Sequence, residues 1–193
     1  MTMRPIAITC GEPAGIGPEV AAKAWAALRD SVPMLWIGDP RHLPAGTPVQ
    51  EITDAADAAA LTGDALPVLR HDFPPPATAG TATLANAQGV IDVIARAVAL
   101  VQSGNAAALC TAPIHKKVLM DGAAFAYPGH TEYLEALTQA PRAVMMLASE
   151  ALRVVPATIH IALADVPDVL TPELLRHTIE ITAHGLRAQF AIP

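Results

Sequence analysis

Aromatic residues are scarce. Phe, Trp and Tyr together make up 4% of the 193 residues, so any core must be assembled from small aliphatic side chains. Basic residues are also few: 12 Lys+Arg stand against 18 Asp+Glu, a formal net charge of -6. A general nucleic-acid binder would carry a basic patch, so no nucleic-acid partner is expected. Long apolar runs are missing too. Residues 90–101 come closest to the roughly 18 needed to span a bilayer, but Asp92 and Arg96 interrupt them, so no membrane partner is expected. The amino terminus lacks the extended apolar region and small-residue cleavage site of a signal peptide, which predicts a cytoplasmic location. Cysteine is limited to Cys10 and Cys110, each at the end of an apolar run. Two buried thiols are predicted; a disulfide would require the two strand ends to be neighbours.

Apolar residues are abundant, at 52%, which is too many for a disordered chain. The 18 prolines sit mostly at the edges of apolar segments, where they punctuate structure. The length suits one domain or slightly more.

Residues 6–10 read as a short buried strand, followed by a Gly/Pro-rich turn over 11–17. Pro18 then occupies a first-turn helical position, where a missing N–H costs nothing, and Glu19 suits the positive end of the dipole. That helix is predicted to run to about Arg29, with a second strand at 34–37. Strand, helix, strand favours a parallel sheet. Residues 41–79 read as loops and short edge strands. Thr83 is the predicted cap of a long helix over 84–103, whose apolar positions recur at three and four, with Gly104 just beyond. A further buried strand is predicted at 106–110, a helix at 131–137, and strands at 144–148 and 154–161. Thr171-Pro172-Glu173 carries a cap, a proline and an acidic first turn, so a helix starts there and is expected to end near Gly185. The chain then stops as though leading into another strand, so it is expected to be incomplete.

Four segments carry possible chemistry. In Gly11-Glu12-Pro13-Ala14-Gly15-Ile16-Gly17-Pro18-Glu19, glycines between strand and helix form either a tight structural turn or a close-approach ligand loop. The pattern fits neither the dinucleotide fingerprint nor a phosphate-binding P-loop. Thr111-Ala112-Pro113-Ile114-His115-Lys116-Lys117 follows the carboxyl end of a strand, where ligands bind in open α/β sheets. Its lysines are either anion contacts or solvated surface charges. In Tyr127-Pro128-Gly129-His130-Thr131-Glu132, Gly129 would permit an unusual backbone angle, and His130 and Thr131 stand at a helix start. Thr131 is a cap, a ligand contact or both. His160 closes the apolar strand of Thr158-Ile159-His160-Ile161; it is either a core histidine or one ligand of a metal that needs at least two more.

Taken in order, Gly-Glu-Pro-Ala-Gly-Ile-Gly-Pro-Glu, Thr-Ala-Pro-Ile-His-Lys, Gly-His-Thr-Glu and the segment 158–171 resemble the 4-hydroxythreonine-4-phosphate dehydrogenase family of pyridoxal 5′-phosphate biosynthesis, along the whole chain. The resemblance implies an α/β fold like that of isocitrate and isopropylmalate dehydrogenases, with two α/β/α domains and a cleft between them. It divides the chain into residues 1–124, the first part of a cofactor-side domain, and 125–193, the incomplete start of a substrate, metal and dimerisation domain. It implies NAD- or NADP-dependent oxidation of the C3 hydroxyl of 4-phosphooxy-L-threonine to 2-amino-3-oxo-4-phosphooxybutanoate, which loses CO2 to give 3-amino-2-oxopropyl phosphate. It implies a homodimer with active sites at the interface, and a divalent metal (zinc, magnesium or cobalt) held by three histidines. By position, His130 and Thr131 match the substrate-binding pair, His160 the first metal ligand, and Lys116 a lysine of substrate or catalytic proximity.

The later metal and substrate ligands of the family have no counterpart in these 193 residues, so the chain alone is expected to be inactive. Two alternatives remain: a paralogue oxidising a threonate or erythronate phosphate, or a truncated form that retains only anion binding or dimerisation.

Overall fold

The computed structural model describes residues 3–59, 61, 63–74 and 76–192; Met1, Thr2 and Pro193, and Ala60, Thr62 and Pro75 of the stretch 41–79 read above, lie outside them. The chain forms two compact units, residues 1–139 and 140–193.

The first unit is built on a five-stranded parallel sheet. Its strands are β1 (Ile6–Thr9), β2 (Met34–Gly38), β3 (Val49–Ile52), β4 (Leu66–Arg70) and β5 (Ala108–Cys110), in the order β3-β4-β2-β1-β5. Strands β1, β2 and β4 are apolar and almost wholly buried, as strands covered on both faces must be. Helix α1 (Gly17–Leu28) links β1 to β2 and buries Ala21 and Trp25 in the core. Helix α2 (Ala87–Gln102) carries the chain from β4 to β5, on the other side of β1. The chain therefore builds the sheet outward from β1 on one side and then crosses to add β5 on its other side. The crevice between the carboxyl ends of β1 and β5 is the topological switch point, where open α/β sheets bind ligands. Helices α3 (Lys116–Ala123) and α4 (His130–Thr138) follow β5 and pack on α2.

Helix Leu84–Gln102 is long and apolar enough in composition to cross a membrane. Its Val90, Val93, Ile94 and Ala97 are instead buried in the core with the sheet. Three of the seven aromatic residues, Phe125, Tyr127 and Tyr133, pack ring to ring with centroids 5.0–5.3 Å apart, and the Tyr133 hydroxyl donates to the Ile91 carbonyl of α2. This cluster seats α4 on α2.

The second unit holds two short antiparallel strands, β6 (Leu147–Ala148) and β7 (Arg153–Val154), then α5 (Val166–Val169) and α6 (Pro172–Phe190).

Several expectations are corrected. Cys110 is exposed, because β5 lies at the sheet edge; Cys10 is buried, and both thiols are free. The helix expected from residue 84 begins as a 3-10 turn (Leu84–Asn86), and Thr83 makes no side-chain capping bond. Of the strands expected over 144–148 and 154–161, pairing is confined to Leu147–Ala148 and Arg153–Val154, because each hairpin strand has only the other to bond with. Helix α6 passes through Gly185, a substitution costing about 1 kcal/mol relative to alanine, supported by the Thr171 cap and an Arg176–Glu180 pair one turn apart.

Candidate anion site at the sheet switch point

The turn after β1 and the turn after β5 are fastened together. The Glu12 N–H donates to the Pro113 carbonyl at 2.8 Å, and the Ala112 N–H donates to Thr9 Oγ1 at 3.2 Å. Gly11 has φ +64°, and a Cβ there would stand 2.4 Å from the Pro113 carbonyl oxygen. A Cβ on Gly17 would stand 2.3 Å from the Cys10 carbonyl oxygen and 3.0 Å from Ala112 Cβ. These glycines thus let two loops and a helix start close on one another. The structural reading of the glycine-rich segment accounts for both. Glu12 is buried within this turn; Oε1 accepts from the Ala14 N–H, while Oε2 has no partner among the described residues. Burial drives the Cys10 thiol far above its ordinary pKa, so it stays protonated.

The three residues His115-Lys116-Lys117 have three different fates. His115 caps α3, its Nδ1 accepting from the Val118 N–H at 3.3 Å. Lys117 pairs with Asp121 one turn on, at 2.7 Å. Lys116, at the first helical position and exposed, forms no ion pair among the described residues. A Cβ built on Gly129 would lie 3.5 Å from Lys116 Nζ and 3.5 Å from Glu132 Oε2, so the free ammonium stands beside the start of α4.

Gly129, rather than Thr131, is the N-cap of α4. Its backbone is extended (φ -174°), so the unusual angle expected there is not present. His130 and Thr131 are the first two helical residues, at the end of a helix whose first-turn N–H groups lack intrahelical acceptors. Thr131 is exposed; His130 is half-buried, with Nε2 buried and unpartnered among the described residues. Burial, and then the nearby Lys116 ammonium, push the His130 pKa below its ordinary value. The structure therefore brings together Lys116, His130 and Thr131: a free cation, an imidazole, a hydroxyl and a helix amino end. Such a set suits a phosphate or carboxylate.

His160 belongs to the second unit. It is exposed and sits at φ +58° in a bend, rather than at the end of a buried strand. No three His, Cys, Asp or Glu residues among the described ones could share a metal ion, so the residues present do not form a metal site by themselves.

Sequence reading missed the capping role of His115 and the staple formed by Asp39. The Asp39 carboxylate is buried; it accepts from the Arg41 backbone and guanidinium at 2.9–3.0 Å and from the Phe73 N–H at 3.2 Å. Gly38-Asp39-Pro40 at a strand end was the available signal.

The open parallel sheet is of the α/β class, and the solved structures it superposes on have the isocitrate/isopropylmalate dehydrogenase-like fold. Residues 28–193 match the family described as pyridoxal phosphate biosynthetic protein PdxA, and the chain belongs to that family. It is 64% identical over 189 residues to a 4-hydroxythreonine-4-phosphate dehydrogenase of Roseobacter denitrificans, and 52% identical over 193 residues to one of Paracoccus denitrificans. These alignments cover 97% and 98% of this chain but only 58% of each relative. Among solved structures, a 4-hydroxythreonine-4-phosphate dehydrogenase from Klebsiella pneumoniae superposes with a TM-score of 0.87 at 32% identity, covering 96% of this chain and 59% of that one. A terephthalate 1,2-cis-dihydrodiol dehydrogenase from Burkholderia xenovorans shares the fold, with a TM-score of 0.62 at 20% identity.

Proposed function

We propose that the chain is the part of a cytoplasmic 4-hydroxythreonine-4-phosphate dehydrogenase that carries the central sheet and the first anion contacts of the substrate site. The reaction would be NAD- or NADP-dependent oxidation of 4-phosphooxy-L-threonine, with decarboxylation to 3-amino-2-oxopropyl phosphate, in a homodimer. Residues 1–124 would form the cofactor side, and 125–193 the start of the substrate, metal and dimerisation part. The observation that carries this reading is the unpaired Lys116 beside the helix start that presents His130 and Thr131. In the proposed complex the ammonium, the Thr131 hydroxyl and the α4 N–H groups hold the substrate's phosphate or carboxylate, each as a donor. The nicotinamide, when bound, takes the hydride. The 11–17 glycines are filled by neighbouring backbone, so no residue of this chain is assigned to the dinucleotide. For His160 as a metal ligand, the support is its match to the family pattern.

The test is calorimetric titration of the chain with 4-phosphooxy-L-threonine and with inorganic phosphate. Lys116→Ala and Thr131→Ala should each weaken binding about tenfold, the equivalent of roughly 1.4 kcal/mol. Unchanged affinity in both variants would remove the anion site. With NAD and zinc added, the chain alone is expected to turn over no substrate, since it supplies no group of three metal ligands among the described residues.

A further inference from the structure

We infer that His130 meets its ligand through Nδ1 as a neutral hydrogen-bond donor, and that Lys116, besides its own contact with the anion, is the residue that holds the ring in that form. The identity of the ligand rests on the proposed function; the state of the ring does not.

Nε2 is buried and has no partner among the described residues, whereas Nδ1 is the nitrogen left open to solvent. The ring has three forms to choose from. An imidazolium would bury an unpaired N–H and place a second positive charge beside Lys116. The tautomer protonated on Nε2 would bury the same orphan donor, at the full cost of desolvating it. The tautomer protonated on Nδ1 leaves only a buried lone pair, and turns its N–H toward solvent and ligand.

The charged surroundings agree. Lys116 on α3 is the charged group that acts on the ring, and it carries no ion pair among the described residues. Glu132, on α4 itself, brings a carboxylate to the same place: a Cβ built on Gly129 would stand 3.5 Å from its Oε2 as well as 3.5 Å from Lys116 Nζ. Asp92 on α2 acts on Tyr133 beneath, and the neutral rings of Tyr127 and Tyr133 complete the seat of the helix. Burial and Lys116 both work against protonation of His130, so the neutral ring persists to lower pH than an ordinary histidine.

This assignment limits the chemistry of the site. At Nδ1 the ring can donate to a phosphate, carboxylate or carbonyl oxygen. It cannot take a proton from a substrate hydroxyl there. His130 therefore selects acceptors, and the proton released on oxidation of an alcohol must leave by another group.

The experiment is 15N NMR of the chain labelled in its histidine rings, across pH 5–8, with and without inorganic phosphate. At pH 7 without phosphate, Nδ1 should show an N–H-bearing shift and Nε2 a lone-pair shift; the reverse pattern would overturn the assignment. Lys116→Gln, checked as folded from its backbone amide spectrum, should raise the protonation midpoint of His130. A midpoint that stays put would overturn the role of Lys116. Phosphate should move Nδ1 and leave Nε2 in place. A shift confined to Nε2 would overturn the ligand contact. Phosphate that moves no resonance of the site would instead sink the anion reading under the proposed function, which the phosphate-free spectra distinguish from failure of the tautomer.

Discussion

The two units contain similar apolar segments and treat them in opposite ways. In the first, β1, β2 and β4 have neighbours on both edges, and Leu35, Trp36 and Ile37 are fully buried. In the second, the runs over 144–148 and 154–161 leave Leu147 60% and Ile161 39% exposed, and Thr178 is the one buried residue of that unit among the described residues. The difference lies in the supply of partners. A strand becomes a core strand when a third and fourth strand or a helix covers it; a lone hairpin has little to gain from its hydrophobicity. The comparison breaks most sharply at two leucines. Leu35→Ala should cost about 2–5 kcal/mol, whereas Leu163→Ala, at a site 87% exposed, should stay within about 0.5 kcal/mol. Urea denaturation followed by far-UV circular dichroism measures both, and a cost above about 2 kcal/mol at Leu163 would mean that the second unit has a core of its own.

The same contrast explains what could be read in the sequence. The βαβ start with its strand at 34–37 and most of the helix expected over 84–103 were legible because their partners lie in the same stretch of chain. Position past a strand end marked Lys116 and a helix start marked His130, and the two stand at the first positions of α3 and α4. What remained hidden depends on contacts distant in sequence. Cys110 looked like a core residue, but β5 has a neighbour on one side only. His160 looked like the end of a strand, but no third strand extends β7 to reach it. Asp39 gave a turn signal, while its buried role depends on Phe73, 34 residues away.

Charge pairs extend the comparison at a smaller scale. In the first unit Asp39 is buried and bound three ways; burial raises its pKa, and the bonds from Arg41 and Phe73 more than reverse this, bringing it down to about 2. Its folded pKa is thus below its unfolded value. The stability it adds is complete above pH 4 and is lost as the pH falls toward 2. Because Arg41 is half exposed, that contribution is on the order of 1–2 kcal/mol after screening. In the second unit Arg176 and Glu180 are both more than half exposed, and their pair should be worth about 0.3–0.5 kcal/mol. Asp39→Asn should therefore lower stability at pH 7 and flatten the acid limb between pH 4 and 2, while Glu180→Gln should leave both nearly unchanged. Equal effects of the two variants in thermal melts across this pH range would remove the distinction.

The smallest effect separates two threonines that look alike in sequence, each ahead of a helix. Thr171 accepts from the Leu174 N–H at 3.1 Å, so it satisfies one of the orphan donors of α6. Thr83 makes no such bond, and its Oγ1 is buried without a partner among the described residues. Thr171→Ala should cost about 1 kcal/mol and speed amide exchange over 173–175, local to the second unit. Thr83→Val deletes a buried hydroxyl that has no bond to lose and keeps the side-chain shape, so it should be neutral or slightly stabilising. Amide exchange at Leu174 and at Asn86 in the two variants reads the difference. A loss of protection at Asn86 in Thr83→Val equal to that at Leu174 in Thr171→Ala would show that Thr83 caps after all. The first unit would then owe part of its helix start to side-chain capping rather than to the packing of Ala87 and Val90 on the sheet.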